Sequence, residues 1–559
     1  MEHNAVSRRS FIGTAGALAI AGLAGCSSSH GSSSTSPHAS SSSVSSESSP
    51  ASSTTSAGAS AIAKDTLTIY VGAEPEDGFD PITGYGSSGA YTFFHSRLLR
   101  FDQYMGLQPD LAKEWSISDD GLTYTYKLRD DVVFSDGSPL KASDVAFTYI
   151  SARDGASSSL DLTKLANAKA IDDYTVEFTL SERFSSFESI TGKLCIVPEA
   201  LYDEQQYRTN PIGSGPFKLV QWDKGQQVII EPNEKYYGTI SPFKQITVLF
   251  LDGEAVLANA QSGMLDVAMI SPEYATATVD GMHLETFPTI DTRGFNLPTQ
   301  PESQVDGKTV GNNVTCDHAI RKALVIGVDR QAIINNALNG IGTPTTALIT
   351  QVPWSNPDCK FEDGRVDEAI KILEEAGWVA GSNGIREKGG VRAEFNITGR
   401  TDDLQRYNFA QAFSQEAEKL GIKINATAEA WDKCKEISEN TPTCWGTGDY
   451  DPAGDLTGYY KTGASTNHAQ YSNPEVDAHI EAAQAATTRD AVIEEWKKVQ
   501  WDGKTGPESE GGDFPCIWLA NIDHTYFVRD GLDLGAQLVH PHGHGWPVVC
   551  NIEEWKMEG

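Results

Sequence analysis

Gly213-Ser-Gly-Pro-Phe-Lys-Leu, then Trp222, then Gln227-Val-Ile-Ile-Glu and Asn233-Glu-Lys-Tyr-Tyr-Gly, is the stretch that decides the fold. Two glycines and a proline make a turn in which backbone geometry matters more than side-chain chemistry. The alternation from Gln227 to Glu231 then reads as a strand with one apolar face. Outward from there, Leu122-Thr-Tyr-Thr-Tyr-Lys-Leu and Thr175-Val-Glu-Phe-Thr-Leu alternate in the same way, and Thr66-Leu-Thr-Ile-Tyr-Val ends as a strand at Gly72. Ser143 is placed to cap a helix through Asp144-Val-Ala-Phe-Thr-Tyr-Ile. Toward the C-terminus, residues 366–376 and 405–420 carry apolar residues at helical spacing, stopped by Gly377 and Gly421. Ile422-Lys-Ile-Asn reads as a short strand, and 475–499 as one long helical region. Strands and helices interspersed in this way predict a mixed α/β architecture.

The chain has 559 residues, more than one hydrophobic core accommodates, so two or three domains are expected. Against 76 Asp and Glu stand 43 Lys and Arg, a formal charge of −33, which repels phosphate backbones and argues against nucleic-acid binding. Arg8 and Arg9 precede Ser-Phe-Ile and an apolar run from Phe11 to Gly25 that is too short and too rich in Gly and Ala for a good membrane span. That pattern reads as an export signal of twin-arginine type over residues 1–25. Leu23-Ala24-Gly25-Cys26 is similar to a bacterial lipobox, in which the cysteine is lipidated and the chain is cut before it. Residues 26–64 are mostly Ser with Thr, Ala, Gly and Pro, a composition expected to form a disordered tether spanning roughly 30–35 Å.

Apart from Cys26 there are seven cysteines, an odd number that cannot all pair internally, and no Cys-x-x-Cys. Cys434 and Cys444 lie close enough in sequence to bridge, but small buried side chains explain the set equally well. Gly-x-Ser-x-Gly, His-Glu-x-x-His and Walker A patterns are all missing, so no enzyme and no cofactor are expected.

Leu111-Ala-Lys-Glu-Trp-Ser-Ile-Ser-Asp-Asp-Gly-Leu-Thr-Tyr-Thr-Tyr, Val133-Phe-Ser-Asp-Gly-Ser-Pro-Leu, the Gly213 block and Ala260-Gln-Ser-Gly-Met-Leu-Asp-Val-Ala resemble, in order, the family 5 extracellular solute-binding proteins. The resemblance continues through Arg321-Lys-Ala-Leu, Leu373-Glu-Glu-Ala-Gly-Trp, Tyr471-Ser-Asn-Pro-Glu-Val-Asp and Ile552-Glu-Glu-Trp. It implies a periplasmic-binding-protein-like type II fold, with two lobes joined by a hinge and an inserted extra domain. By analogy lobe 1 is 66–95, 213–288 and 512–559, the insertion 96–212, and lobe 2 289–511. It further implies a monomeric receptor of an ABC importer, lipid-anchored through Cys26 to the outer face of the cell membrane. Such a receptor hands peptides to permease and ATPase subunits. The alternatives are a nickel-chelate receptor of the same family and a non-transport signalling receptor.

Trp445-Gly-Thr-Gly-Asp-Tyr-Asp-Pro is similar to the segment in which peptide receptors of the family hold the ligand's α-ammonium. Asp449 matches the anchoring carboxylate best, with Asp451 beside it and Trp445 and Tyr450 as candidate walls. A carboxylate suits an enclosed ammonium, which needs a charge-assisted partner. Arg406 and Arg293 are candidates for the ligand carboxylate, against a bland reading of Arg406 as a solvated helix residue. His468, in Asn467-His-Ala-Gln-Tyr, resembles the segment where nickel receptors carry a histidine. His540, His542 and His544, interleaved with Pro541 and Gly543, read as a surface turn.

Overall fold

Alternation becomes sheet wherever it is cleanest. Thr123–Leu128 buries Tyr124, Tyr126 and Leu128, and its partner Thr175–Leu180 buries Val176, Phe178 and Leu180, which contribute about 1.5–3 kcal/mol each for the aliphatic and Phe side chains. The computed structural model describes residues 65–558 except 76, 87–90, 156–159 and 544–545. Arg8, Arg9, Cys26, the Ser-rich stretch and His544 lie outside the described residues.

Three separated stretches of chain meet in one seven-stranded sheet, ordered Met282–Phe287, His524–Arg529, Val267–Ile270, Thr66–Tyr70, Gln245–Leu249, Gln227–Pro232 and Phe217–Asp223. Its core holds Leu67, Ile69, Val228, Ile230, Val248 and Trp555. The turn at Gly213 and Gly215 feeds this sheet. Gly215 N–H donates to Phe94 O at 2.8 Å, and the 94–95 backbone lies so close to both glycines that neither position has room for a Cβ.

Between the first and second of those stretches, Ala112–Ile117, Thr123–Leu128, Thr175–Leu180 and Leu165–Asp172 form a four-stranded antiparallel sheet with its own core. Packed beside it, the helix Ala142–Gly155 starts one residue before Ser143, so Ser143 is not its cap. Asp144 does the local bonding, accepting from Lys141 N at 2.8 Å and Glu199 N at 2.9 Å.

A second four-stranded sheet runs Thr343–Pro344, Cys516–Asn521, Thr292–Asn296 and Cys444–Thr447. Beside it the parallel pair Glu394–Arg400 and Lys423–Glu429 packs on the helix Leu404–Glu418, whose Phe409 and Phe413 are fully buried. Two chain crossings, from Phe287 to Thr292 and from Asn521 to His524, link this sheet to the seven-stranded one. The region expected as one helix over 475–499 is two, Pro474–Ala485 and Arg489–Gln500. Thr488 breaks it, its hydroxyl accepting from Ala491 N as the cap of the second helix. Cys195, Cys316, Cys359, Cys434, Cys444, Cys516 and Cys550 are all free thiols, and most are buried. Among the described residues no helix is long and apolar enough to cross a membrane.

Candidate ligand-binding site

The strand Cys444–Thr447 pairs antiparallel with Thr292–Asn296 and sets Gly446 opposite Arg293. The Arg293 guanidinium occupies the space a Gly446 side chain would need, so a larger residue there would have to displace it. Beyond the strand the chain turns through Asp449, Tyr450 and Asp451 into the helix Pro452–Tyr460. Asp451 caps that helix, accepting from Ala453 N at 2.8 Å, and its Oδ1 also accepts from the Ser186 hydroxyl at 3.1 Å. Asp449 Oδ1 takes the Lys193 ammonium and the Asp451 N–H, the latter at 3.1 Å. Lys193 is 7% exposed at its side chain and Asp449 33%, so the pair joins a buried cation to a carboxylate that solvent still reaches.

A cavity of about 250 Å³ opens on this pair, lined among others by Phe184, Lys193, Thr447, Asp449, Asp455 and His542. A second cavity of about 460 Å³ lies on the other side of Ser186, Ser189 and Asp451, which line both. Its walls include Phe101, Trp115, Tyr450, Trp354 and Trp496. Asp455 lies in the first turn of that helix and lines the same cavity as the cap Asp451. The Thr447 hydroxyl donates to Asp455 Oδ1, while Oδ2 is shut off from solvent and makes no hydrogen bond. Burial pushes the Asp455 carboxyl up to about 7 against the pull of Thr447, and the charge of Asp449 adds to the rise.

Behind the strand lies a second charged group. Asp291 carries an ion pair with Arg293 and lies 2.9 Å from His542 Nδ1, with His524 Nε2 at 3.7 Å. Burial alone would raise the Asp291 carboxyl, but Arg293 and His542 overcome it and hold it well below the usual range. His540 and His542, expected on a surface turn, are therefore packed inward. His540 is fully buried, its Nδ1 3.1 Å from that of His524, and His542 reaches Asp291. The packing of His540 against Phe287, a residue on the crossing itself, explains the burial.

The other candidates from sequence gather around the same strand. Trp445 donates from Nε1 to Asn296 Oδ1 at 2.9 Å and stacks on His468 with ring centroids 4.5 Å apart. His468 Nδ1 lies 3.0 Å from the Ser438 hydroxyl. Tyr450 donates to Val539 O at 2.8 Å and packs on Phe101. Arg406 is buried rather than solvated, its Nε on Asp403 at 2.9 Å and Nη1 on Cys444 O at 2.9 Å. Sequence reasoning missed Lys193, Asp455 and Asp291. For Lys193 the available signal was a lysine opening the apolar run Leu194-Cys-Ile-Val, and for Asp455 its i, i+4 spacing from Asp451.

Residues 106–470 match the family model described as bacterial extracellular solute-binding proteins, family 5 Middle. The chain is 32% identical over 499 residues to Protein XP55 of Streptomyces lividans, covering 84% of this chain and 86% of that one. It is 25% identical over 507 residues to the oligopeptide-binding protein AppA of Bacillus subtilis, covering 85% and 88%. Among solved structures, NikZ from Campylobacter jejuni, in complex with Ni(L-His), superposes with a TM-score of 0.75 at 23% identity, over 89% of this chain and 100% of that one. The fold is the type II periplasmic-binding-protein fold of such proteins.

Proposed function

Because the chain belongs to the family 5 extracellular solute-binding proteins, the substrate receptors of ABC importers, we propose that it binds peptides and passes them to a membrane permease. The observation that carries this reading is the Asp449 carboxylate, partly open to a cavity and already paired with an ammonium, that of Lys193. The peptide's α-ammonium docks on Asp449, and the peptide chain runs along Cys444–Thr447. Of the other candidates Tyr450 walls the adjoining cavity, while Trp445, Arg406 and Arg293 line neither of the two cavities and are held by Asn296, Asp403 and Asp291. The relative named oligopeptide-binding protein supports peptide as the ligand class. The lobes are 66–95 with 213–288, and 289–511, with 96–212 inserted; the segment 512–559 expected in lobe 1 divides between them, because Cys516–Asn521 pairs with Thr292–Asn296 and only the chain after it joins the seven-stranded sheet, and the crossings at 287–292 and 521–524 are the hinge.

The test is calorimetry on four combinations. Removing one partner of an enclosed charge pair costs about 3–5 kcal/mol, or roughly two to three and a half decades of affinity. Asp449→Ala is expected to lose that much for a free peptide, and N-acetylating the peptide is expected to cost a similar amount in the wild type and almost nothing more in the variant. Equal binding of acetylated and free peptide by the wild type would remove Asp449 as the anchor. Binding of a Ni²⁺ chelate with no peptide binding, abolished by His468→Ala, would replace the peptide reading with nickel.

The lipobox-like segment ending at Cys26 supports export and anchoring at the outer face of the cell membrane. Cys26→Ala is expected to release the protein from the membrane fraction or leave it unprocessed. Unchanged fractionation with normal lipid labelling would sink the anchor.

A further inference from the structure

The larger cavity, of about 460 Å³, lies on a seam between two parts of the chain. One wall comes from the inserted segment: Phe101, Tyr104 and Leu107 on the hairpin of strands Leu99–Phe101 and Leu107–Pro109, with Trp115 and Ile117 from the strand Ala112–Ile117. The other comes from lobe 2: Trp354, Tyr450, and Val492 and Trp496 of the helix Arg489–Gln500. Hydrogen bonds close the seam around it. Arg489 Nη2 donates to Met105 O at 3.2 Å, Ser185 N to Gln484 O at 2.9 Å, and the Ser185 hydroxyl to Ala483 O at 2.9 Å.

The polar groups of this wall are largely engaged within the protein. Glu188 accepts from Trp115 Nε1 at 2.8 Å, Asp451 holds a helix N-terminus and Ser186, and Thr488 caps Arg489–Gln500. Arg183 and Arg489 each donate to a backbone carbonyl, those of Asp120 and Met105. The wall's main offering is therefore apolar, and two of its members are open to solvent, Tyr104 at 74% and Ile117 at 37%. A concave, ring-lined space of this size is the form a ligand site takes. Phe101 and Tyr450 meet across the seam with ring centroids 4.8 Å apart. A third ring added beside them gains edge-to-face or offset stacking on top of its burial, which an aliphatic group of the same size does not.

We propose that this cavity receives a bulky aromatic side chain of the peptide, that of its first or second residue, and so sets which peptides the protein prefers. The proposal rests on the reading that the peptide's α-ammonium docks on Asp449, and names the class of peptide. Ser186, Ser189 and Asp451 line both cavities, so the ring-lined space begins where the ammonium site ends. An extended chain advances by about 3.3–3.6 Å per residue, which leaves the side chains of the first two residues beside that shared wall. A ring seated there touches both the inserted segment and the lobe 2 helix. It therefore binds the arrangement that holds them together more tightly than one that separates them, and favours closure. An alanine in the same place leaves the space unfilled and gains none of this.

The experiment is calorimetry on the full chain with Ala-Ala-Ala, Phe-Ala-Ala, Ala-Phe-Ala, Leu-Ala-Ala and Ala-Leu-Ala, each free and N-acetylated. The better Phe peptide is expected to bind at least about thirtyfold more tightly than Ala-Ala-Ala. Over its Leu counterpart the expected advantage is about threefold or more. Val492→Trp and Ile117→Trp fill the cavity from opposite walls at positions that are not fully buried. Each is expected to cut the Phe advantage over Ala-Ala-Ala to about threefold or less, because the ring is shut out. Their melting temperatures without peptide report that they are folded, and the ranking of peptides on the wild type is read without either. Free Phe, Leu and Ala peptides of equal affinity, all weakened by N-acetylation, would overturn this proposal and leave the peptide reading standing. A Leu peptide equal to its Phe counterpart, or a Phe advantage undiminished in both folded variants, would do the same. If acetylation changes nothing, or no peptide binds, the Asp449 anchor fails and this proposal with it.

Discussion

Two clusters of buried charge flank the strand Cys444–Thr447, and they differ in how far a single cation balances the carboxyls beside it. On the crossing side, Asp291 is one carboxylate facing Arg293, His542 and His524. On the cavity side, Asp449 and Asp455 are two carboxyls facing one ammonium, Lys193. In the first cluster Arg293 is the main cation and the Asp291 carboxylate stays ionised at any ordinary pH, while His542 and His524 approach the same carboxylate from the C-terminal segment. In the second, burial and the charge of Asp449 push the Asp455 carboxyl up to about 7. The difference separates a charge group closed inside the frame from one that opens on a cavity, although both flank the same short strand.

The largest effect expected from breaking this contrast is on the frame. Arg293→Met removes the main cation of Asp291 and leaves that carboxylate buried, which typically costs about 3–5 kcal/mol. The expected result is a stability loss of that order in denaturant unfolding, with any loss of peptide affinity following from it. A variant of wild-type stability that has lost peptide binding would instead make Arg293 a ligand group, and the two clusters would then be one site.

The sequence made the regular parts legible because their signals are local. The alternation at Thr123–Leu128, Thr175–Leu180 and Gln227–Pro232 states each strand within a few residues. Gly377 and Gly421, both with positive φ, follow the helices they were expected to stop. Ser143 and the 475–499 region went astray for equally local reasons, since several hydroxyl and acidic residues compete for each cap and only packing chooses among them. The charged site was less legible because its partners are remote. Lys193 and Asp449 are 256 residues apart, and Asp291 meets His542 across 251. A histidine next to Pro541 and Gly543 looks like a surface turn until the crossing at Phe287 is placed against it.

A smaller effect sharpens the contrast from the cavity side, and its sign follows from linkage. The Asp455 carboxyl titrates at about 7 in the folded chain and near 3.8 when unfolded, so the folded state binds the proton more tightly. The stability due to this group is fully present below about pH 4 and is lost as pH rises toward and through 7. Between pH 5 and pH 7 the loss amounts to about 2 kcal/mol. Glu508 and Glu553, also pushed up to about 7 by burial, contribute losses of the same sign. The wild-type curve alone therefore does not isolate Asp455. Asp455→Asn carries the other two unchanged and lacks this one, so the difference between the two unfolding curves is the Asp455 contribution. Denaturant unfolding of both proteins at half-unit steps from pH 5 to pH 7.5, without peptide, is expected to show the variant gaining on the wild type by about 2 kcal/mol over that range. Asp291 adds nothing in this window, because its partners hold it ionised throughout. A difference that stays constant with pH would mean that Asp455 is ionised and already paired inside the folded chain. The cavity would then carry no excess acid, and the contrast between the two clusters would disappear.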